Sequence, residues 1–290
     1  MRIDALVREA TAALAAAGIE HPRMEARLIV GEAAEASLEA LVAHPERAID
    51  ESSAAFARAL VERRAAGAPM AYLLGRKEFW SLDFAVTAAT LVPRADSETL
   101  VAAALAFAAE HDRAWRVLDL GTGTGCLLLS FLAERPAAFG VAVDASEAAL
   151  AVAAANADSL GLAARAALLG ADWTAPLAGA FDVVFANPPY IPSGEIAGLD
   201  IEVRDFEPES ALDGGADGLA AYRAILADLA RVLAPGGRAF FEVGQGQADD
   251  VAAIAEAAGL WVHAFRNDLA GIARCVEIAK KPLGTERHAD

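Results

Sequence analysis

Val117-Leu-Asp-Leu-Gly-Thr-Gly-Thr-Gly125 is the stretch of this 290-residue sequence that decides its fold. An apolar, strand-like run leads into three alternating glycines, after which a helical pattern begins. Glycines in such a turn let backbone amides approach a ligand closely. The dinucleotide pattern Gly-x-Gly-x-x-Gly is not met, because position 126 is Cys. The stretch therefore predicts a nucleotide-binding strand–turn–helix unit that serves another class of cofactor.

The alternation of strand, glycine-rich turn and helix continues from residue 96 to the end of the chain. The strand candidates are Val117–Leu120, Gly140–Val143, Ala166–Leu169, Phe181–Ala186, Arg238–Val243 and Arg274–Ile278. Long Ala-rich helical segments separate most of them. This succession predicts an α/β fold with a doubly wound, mostly parallel sheet.

Residues 1–75 are dominated by Ala, Leu, Glu and Arg, which favours helices. An apolar stripe at helical spacing runs from Ile3 to Leu14 and stops at Gly18. Further helices are expected at Glu25–Glu35 and Ser52–Ala66. The N-terminal part is therefore predicted to be a small all-α domain.

Side chains in residues 76–95 alternate in character as they do in β-strands, and a turn is expected near Ala88-Ala89. The segment is predicted to be a β-hairpin. It would join the helical domain, 1–75, to the sheet domain, 96–290.

Composition argues against several classes of protein. A net charge of −17 and a pI near 4.7 disfavour binding of nucleic acid through its phosphates. Five scattered histidines and two cysteines give neither metal-ligand spacing nor a disulfide framework, so no metal is expected. No apolar run has the length of a membrane helix, and the N-terminus does not resemble a signal peptide. We therefore expect a cytoplasmic protein that is not associated with a membrane.

Acidic and aromatic side chains lie at the first three predicted strand ends of the sheet domain. Asp119, just before the glycine turn, suits a ligand with a cationic amino-acid tail. Asp144 is placed to accept hydrogen bonds from two ribose hydroxyls, and Asp172 and Trp173 to flank an adenine ring. Taken singly, Asp144 is equally well explained as a helix cap and Trp173 as core packing. Their succession predicts S-adenosylmethionine rather than a nicotinamide cofactor.

Asn187-Pro-Pro-Tyr190 follows the strand Phe181–Ala186, at the edge where open α/β sheets bind ligands. The two prolines fix φ and remove two amide donors, so the local carbonyls point outward. Asn offers a further acceptor and Tyr a flat face, which together can hold a planar –NH2 group by both hydrogens. On its own the tetrapeptide is also compatible with a simple proline turn. Because three preceding strand ends already carry residues suited to a ligand, the tetrapeptide predicts chemistry on an amide or aromatic amine nitrogen.

With these motifs the chain resembles the peptide chain release factor glutamine methyltransferases over nearly its full length. The matching stretches are Tyr72–Ser81, Leu91–Glu98, Leu118–Gly125, Val143-Asp144, Asp172-Trp173, Asn187–Tyr190, Phe206–Pro208, Asp217-Gly218 and Glu242–Gln247. The resemblance implies a Rossmann-like, class I S-adenosylmethionine-dependent methyltransferase. Its substrate would be the glutamine amide nitrogen in the Gly-Gly-Gln motif of bacterial class I release factors, with the helical domain as docking module.

One stretch departs from the family pattern. The family has Pro-Arg-Pro followed by an acidic residue and Thr, whereas this chain has Pro93-Arg94-Ala95-Asp96-Ser97. Loss of the second proline is expected to alter loop stiffness, while Ser97 keeps the hydroxyl. No change of reaction is expected.

The resemblance also implies roles for individual residues. The cofactor would be bound by Gly121, Thr122, Gly123, Thr124, Gly125, Asp144, Asp172, Trp173 and Asn187. Asn187, Pro188 and Tyr190 would be catalytic. The substrate glutamine would be held by Asn187, Pro188, Pro189 and Tyr190, with the Asn187 Oδ1 and the Pro188 carbonyl each accepting one amide hydrogen.

Other functions stay open at this point. The glycine turn and Asn-Pro-Pro-Tyr are shared with DNA adenine N6-methyltransferases, and a sister family methylates a glutamine of a ribosomal protein. The Pro93-Arg94 and Phe79-Trp80 segments and the acidic charge favour the release-factor type over these. A catalytically silent binding module would not need the cofactor carboxylates and Asn187 together.

An acidic stretch runs from Glu195 to Asp217. Its carboxylates are Glu195, Asp200, Glu202, Asp205, Glu207, Glu209, Asp213 and Asp217, against the single Arg204. It is either a solvated loop, as charge runs usually are, or a docking surface for a basic domain of the substrate protein.

Overall fold

The computed structural model describes residues 1–109 and 113–281. The chain forms two compact units, of which the first combines Met1–Arg76 with Asp200–Phe206 and the second contains the remainder. Residues 282–290 of the predicted sheet domain lie outside the described residues. Within the described ranges, no helix is long and apolar enough to cross a membrane.

The first unit is helical, as predicted. Its helices are α1 (Ile3–Ala16), α2 (Pro22–Ala33), α3 (Leu38–Ala43), α4 (Glu51–Ala65) and α5 (Met70–Leu74). The stripe residues Leu6, Ala10 and Leu14 are buried in its core. The sequence did not indicate α3 and α5, because helices of six and five residues are too short to show a periodic pattern.

The predicted hairpin is present as β1 (Arg76–Phe79) and β2 (Leu82–Ala85). Trp80 and Ser81 form its turn with φ of 54° and 58°, the left-handed values that a two-residue type I′ turn requires. The chain does turn at Ala88-Ala89, where the Thr90 amide donates to the Thr87 carbonyl at 3.1 Å, but this turn follows β2 and is not the turn of the hairpin. Type I′ turns usually contain Asn or Gly, so Trp-Ser gave no turn signal.

Within the described residues, the second unit is built on a seven-stranded sheet. Its strands are β3 (Arg116–Leu120), β4 (Phe139–Asp144), β5 (Ala166–Gly170), β6 (Phe181–Ala186), β7 (Leu233–Glu242), β8 (Leu260–Asn267) and β9 (Ala273–Lys280). The order is β5-β4-β3-β6-β7-β9-β8, with β9 antiparallel to both neighbours and the other pairs parallel. This confirms the predicted doubly wound, mostly parallel sheet.

The remaining helices are α6 (Glu98–Ala109), α7 (Cys126–Glu134), α8 (Glu147–Ser159), α9 (Ile201–Arg204), α10 (Ala220–Val232) and α11 (Ala248–Ala257). Apart from α9, they accompany the sheet. Successive residues of β6 enter opposite cores, Val183 and Phe185 on one face and Val184 and Ala186 on the other. Strand β6 is thus buried on both faces, which explains its continuous apolar sequence.

Strand β8 was missed by the sequence analysis. It is the edge strand of the sheet, and Trp261 and Phe265 on it are exposed. Its pairing with β9 is also irregular, with register shifts between Val262 and Ala264 and between Arg266 and Asn267. An edge strand of this kind shows neither the buried run nor the strict alternation by which strands are recognised.

Helix α9 belongs to the first unit although it lies far along the chain. Arg64, nearly buried, pairs with Glu25 at 2.5 Å and with Glu202 of α9 at 2.6 Å. Phe206 packs against the core of the same unit. This tertiary placement was not visible in the sequence, where the segment is only part of an acidic stretch.

Candidate active site

The register of the sheet brings the predicted site residues to one edge. Leu120 of β3 pairs with Val143 of β4 and with Ala186 of β6, and Ala186 pairs with Phe241 of β7. The residues that follow each of these are therefore neighbours at the carboxyl end of the sheet. The direction of strand order reverses between β3 and β6, which is where open α/β sheets bind ligands.

The glycine turn between β3 and α7 has the geometry that only glycine adopts easily. Gly121, Gly123 and Gly125 have φ of 70°, 54° and 81°. A Cβ at Gly121 would lie 3.3 Å from the ring of Trp173, so the turn passes close to that side chain. The amide of Gly123 donates to Asp144 Oδ2 at 2.9 Å. The turn and the end of β4 are thereby fixed to each other.

Two carboxylates support the turn from different positions. Asp144 accepts from the amides of Gly123 and Ser146, both at 2.9 Å, and each of its oxygens keeps lone-pair capacity for a ligand. Asp119 lies buried, with Oδ2 accepting from the Thr122 hydroxyl at 2.6 Å. Burial raises the pKa of Asp119 to about 7. Its Oδ1 has no hydrogen-bond partner among the described residues.

A cavity opens in front of this turn. Among the residues that line it are Gly121, Thr122, Gly123, Thr124, Asp144, Asp172, Trp173, Asn187 and Pro189. Every predicted cofactor residue except Gly125 is in that set. Gly125 instead precedes α7, with its Cα facing Leu129 and Ala153. Asp119, expected near a cationic tail, is not among the lining residues and lies buried next to Thr122.

This set of groups fits S-adenosylmethionine. Backbone amides of the turn suit its carboxylate, the carboxylates of Asp144 and Asp172 suit its hydroxyls and ammonium, and Trp173 offers a half-buried ring to its adenine. Sequence analysis did not anticipate two further walls of the cavity. They are formed by Ala89 to Leu91 and by Pro208 to Ala211.

We expect Asp144→Asn to weaken S-adenosylmethionine binding by roughly 10- to 100-fold, the range of one or two hydrogen bonds to a charged group. The amide would turn an –NH2 toward the Gly123 or Ser146 amide and remove the charge. Calorimetric titration measures the affinity. Asp158→Asn, an exposed carboxylate on α8, is the matched control. An unchanged affinity for Asp144→Asn would contradict the assignment.

The Asn-Pro-Pro-Tyr residues separate into different positions. Asn187 and Pro189 line the cavity, and Pro188 is buried. Tyr190 does not line that cavity but a shallow groove, together with Lys77, Val92, Pro93, Arg94, Ala95 and Asp96. Pro93 and Arg94 line both spaces. The motif therefore stands between an inner cavity and an outer groove.

The backbone of the motif is held from behind by groups whose role the sequence did not reveal. The side chain of Gln247 donates to the Tyr190 carbonyl at 2.9 Å and accepts from the Gly244 amide at 3.0 Å. Gly214 and Gly218 press their backbone against the motif: added Cβ atoms would lie 2.8 Å from the Pro189 carbonyl oxygen and 2.3 Å from that of Tyr190. The sequence contained one sign of these roles, because Asp217-Gly218 and Glu242–Gln247 are among the stretches that match the family.

Arg94 and the hairpin aromatics make structural contacts within the second unit. Arg94 pairs with buried Glu207 at 2.7 Å. Phe79 is buried in the core of the second unit. Trp80 donates its ring N–H to Glu134 at 3.0 Å and its amide to Glu98 at 2.8 Å.

Most carboxylates of the acidic stretch are used inside the chain. Their side-chain partners are Arg64 for Glu202, Arg204 for Asp205, Arg94 for Glu207, Ser193 for Asp213 and Arg223 for Asp217. Glu195, Asp200 and Glu209 are exposed, so a docking surface for a basic domain stays a prediction. Four of the eight carboxylates pair with an arginine, so about half of the charge of the stretch is compensated.

Comparison with known proteins agrees with this geometry. The family profile "PrmC N-terminal domain" matches residues 5–75, and "Methyltransferase small domain" matches residues 97–200. A methyltransferase structure from Pyrococcus furiosus is similar with a TM-score of 0.50 at 16% identity, covering 77% of this chain and 97% of that one. That likeness shows the fold.

Curated relatives are much closer in sequence. The chain is 44% identical over 271 residues to the release factor glutamine methyltransferase of Rhodospirillum rubrum, covering 93% of this chain and 83% of the relative. It is 45% identical over 279 residues to the protein of the same name from Cereibacter sphaeroides, covering 95% and 98%. The chain belongs to the release factor glutamine methyltransferase family.

Proposed function

We propose that this protein methylates the side-chain amide nitrogen of the glutamine in the Gly-Gly-Gln motif of bacterial class I release factors. Its methyl donor is S-adenosylmethionine. The observation that carries the proposal is the position of Asn187 and Tyr190 between the inner cavity and the outer groove. A cofactor in the cavity and a glutamine entering from the groove would meet at Asn187. The substrate being a translation factor, we also propose a cytoplasmic location.

The chemistry required is activation of a poor nucleophile, because the lone pair of an amide nitrogen is delocalised into its carbonyl. The bound cofactor supplies an electrophilic methyl group. Asn187 Oδ1 and the Pro188 carbonyl would each accept one hydrogen of the substrate –NH2, which fixes the nitrogen and favours its lone pair leaving resonance. Such positioning can supply several kcal/mol of the barrier without a strong base.

Tyr190 would pack on the amide plane from the groove side. Burial raises the pKa of Tyr190 to about 12, and the nearby Glu242 carboxylate acts in the same direction. The phenol is therefore neutral at physiological pH and serves as a packing surface, not as a base. Lys77 and Arg94 also line the groove, so its rim carries positive charge beside Asp96.

We assign the helical domain, 1–75, to docking of the release factor, the hairpin segment 76–95 to connection and residues 96–290 to catalysis. The matches of the two family profiles, at residues 5–75 and 97–200, support this division. The acidic charge of the chain supports a protein substrate over nucleic acid.

Incubation of a purified class I release factor with this protein and S-adenosylmethionine should add one methyl group to the Gly-Gly-Gln glutamine. Intact-mass and peptide mapping locate the group. A release factor with Gln replaced by Ala in that motif is the control substrate. Ribosomal proteins and DNA, offered in parallel, test the two alternative substrate classes. Methylation of either in place of the release factor would overturn the proposal.

A further inference from the structure

The carboxamide of Asn187 has a fixed orientation in this structure. Its Nδ2 donates to the Ser97 hydroxyl oxygen at 3.3 Å, so the two amide hydrogens face the protein and Oδ1 is the end available to a ligand. Ser97 is 2% exposed and belongs to the Pro-Arg-Ala-Asp-Ser segment. An amide has nearly the same shape in both orientations, so something must select this one.

Glu242 lies next to Asn187 across the sheet. Ala186 of β6 pairs with Phe241 of β7, so Asn187 and Glu242 are the next residues on adjacent parallel strands. Glu242 is 2% exposed, and its backbone carbonyl accepts from the Tyr222 hydroxyl at 2.7 Å. The carboxylate is thus held at the same edge of the sheet as the amide.

The environment of the Glu242 carboxylate is short of hydrogen-bond donors. Burial raises its pKa to about 7, while hydrogen bonds from Ser97 and Asn187 and the charge of Arg274 act against that rise and Asp96 adds to it. Arg274 itself pairs with Asp96 at 3.2 Å and Asp268 at 3.3 Å. One oxygen, Oε2, has no hydrogen-bond partner among the described residues.

These contacts give Glu242 a means of selecting the orientation. The ionised Glu242 carboxylate only accepts hydrogen bonds, and of the two ends of an Asn amide only Nδ2 donates them. With Oδ1 turned inward, two acceptors would meet in a buried site, at a cost comparable to leaving a polar group unpaired. The Ser97 hydroxyl can accept from Nδ2 and donate toward the carboxylate, so it links the two.

We propose that Glu242, together with Ser97, is a positioning residue that holds Nδ2 of Asn187 inward and so reserves Oδ1 for the substrate amide. The inference rests on the proposed function, in which Oδ1 accepts a hydrogen from the substrate –NH2. Glu242 does not touch substrate or cofactor in this scheme. It acts through the side chain of Asn187.

Glu242→Gln and Ser97→Ala test the proposal. Gln can offer its own –NH2 to the pair, so Asn187 would also populate the flipped orientation that meets the substrate with donors. We expect either variant to lower kcat/KM for the release factor by roughly 10- to 100-fold, the range for loss of a hydrogen bond to a charged group. The dissociation constant for S-adenosylmethionine should change by less than about threefold.

Ser97→Thr and the double variant distinguish a positioning role from a merely structural one. Thr keeps the hydroxyl, so it should recover most of the activity that Ser97→Ala loses. Because both residues act through one amide, Ser97→Ala with Glu242→Gln should lose little more than the more impaired single variant. Glu277→Gln is the matched control, since Glu277 is a fully buried sheet carboxylate paired with Arg238 and Arg266.

The outcomes separate the two levels of inference. If wild type and Glu277→Gln leave the release factor unmethylated, the proposed function fails. If they methylate it and Glu242→Gln or Ser97→Ala is as active, the positioning role fails. Additive losses in the double variant, or losses of kcat/KM matched by equal losses of cofactor affinity and melting temperature, would also overturn that role.

Discussion

Asn187→Ala should lose nearly all turnover, by at least roughly 100-fold, while the fold is retained. The side chain is half-buried and lines the cavity, and its Oδ1 is turned away from the Ser97 bond. No other side chain of the motif offers an acceptor there, since the prolines have none and Tyr190 lies on the groove side. Removing Oδ1 therefore leaves the substrate –NH2 with only one of its two proposed acceptors.

The measurement is the initial rate of methyl transfer to a release factor, with the S-adenosylmethionine affinity and thermal melting determined for the same preparation. Asn267→Ala, an exposed Asn at the end of β8, serves as control and should behave as wild type. A rate near that of wild type for Asn187→Ala, with the cofactor still bound, would rule out the amide-holding mechanism.

The titratable groups around the motif favour positioning over base catalysis. Tyr190 is kept neutral by the raised pKa of its phenol. Asp119 is buried and does not line the cavity, with one oxygen bonded to Thr122. Glu242 faces Ser97 and Asn187. Neither Asp119 nor Glu242 lines the cavity or the groove, which agrees with a reaction that needs a fixed amide more than a proton acceptor.

Much of the fold and of the cavity was predictable because local sequence carries it. A buried parallel strand appears as a continuous apolar run, and a strand that ends in glycines or Asn-Pro-Pro-Tyr places those residues at the ligand edge of the sheet. The five strands of the parallel part of the sheet and the predicted cofactor residues that line the cavity followed from these two rules. Gly125 is the one predicted cofactor residue that does not line the cavity, because it precedes the first residue of α7 and packs on Leu129.

What escaped prediction depends on contacts between distant parts of the chain. The membership of α9 in the first unit rests on the pairing of Glu202 with Arg64, which no local pattern indicates. The hydrogen bond from the Gln247 side chain to the Tyr190 carbonyl joins residues 57 positions apart. The inward orientation of Asn187 depends likewise on Ser97, 90 positions away.

Gly218→Ala should lower turnover by roughly 100-fold, the effect expected when a reacting group is displaced by about 1 Å. Gly218 has φ of 74°, and a Cβ there would lie 2.3 Å from the Tyr190 carbonyl oxygen and 2.7 Å from Gln247 Nε2. The backbone cannot absorb such an overlap without moving. The Gln247–Tyr190 bond and the motif would shift together, and with them the acceptors for the substrate amide.

Left-handed strain alone costs roughly 1–2 kcal/mol for a residue with a Cβ, so the experiment needs a control that shares it. Gly161→Ala provides this, because Gly161 has φ of 70° and a Cβ there would meet no described atom within 4 Å. Both variants should melt a few degrees below wild type, but only Gly218→Ala should lose kcat. Equal activity of the two would show that the close approach at Tyr190 does not position the motif. A loss confined to Gly218→Ala would place the glycine and its contact among the determinants of the reaction geometry.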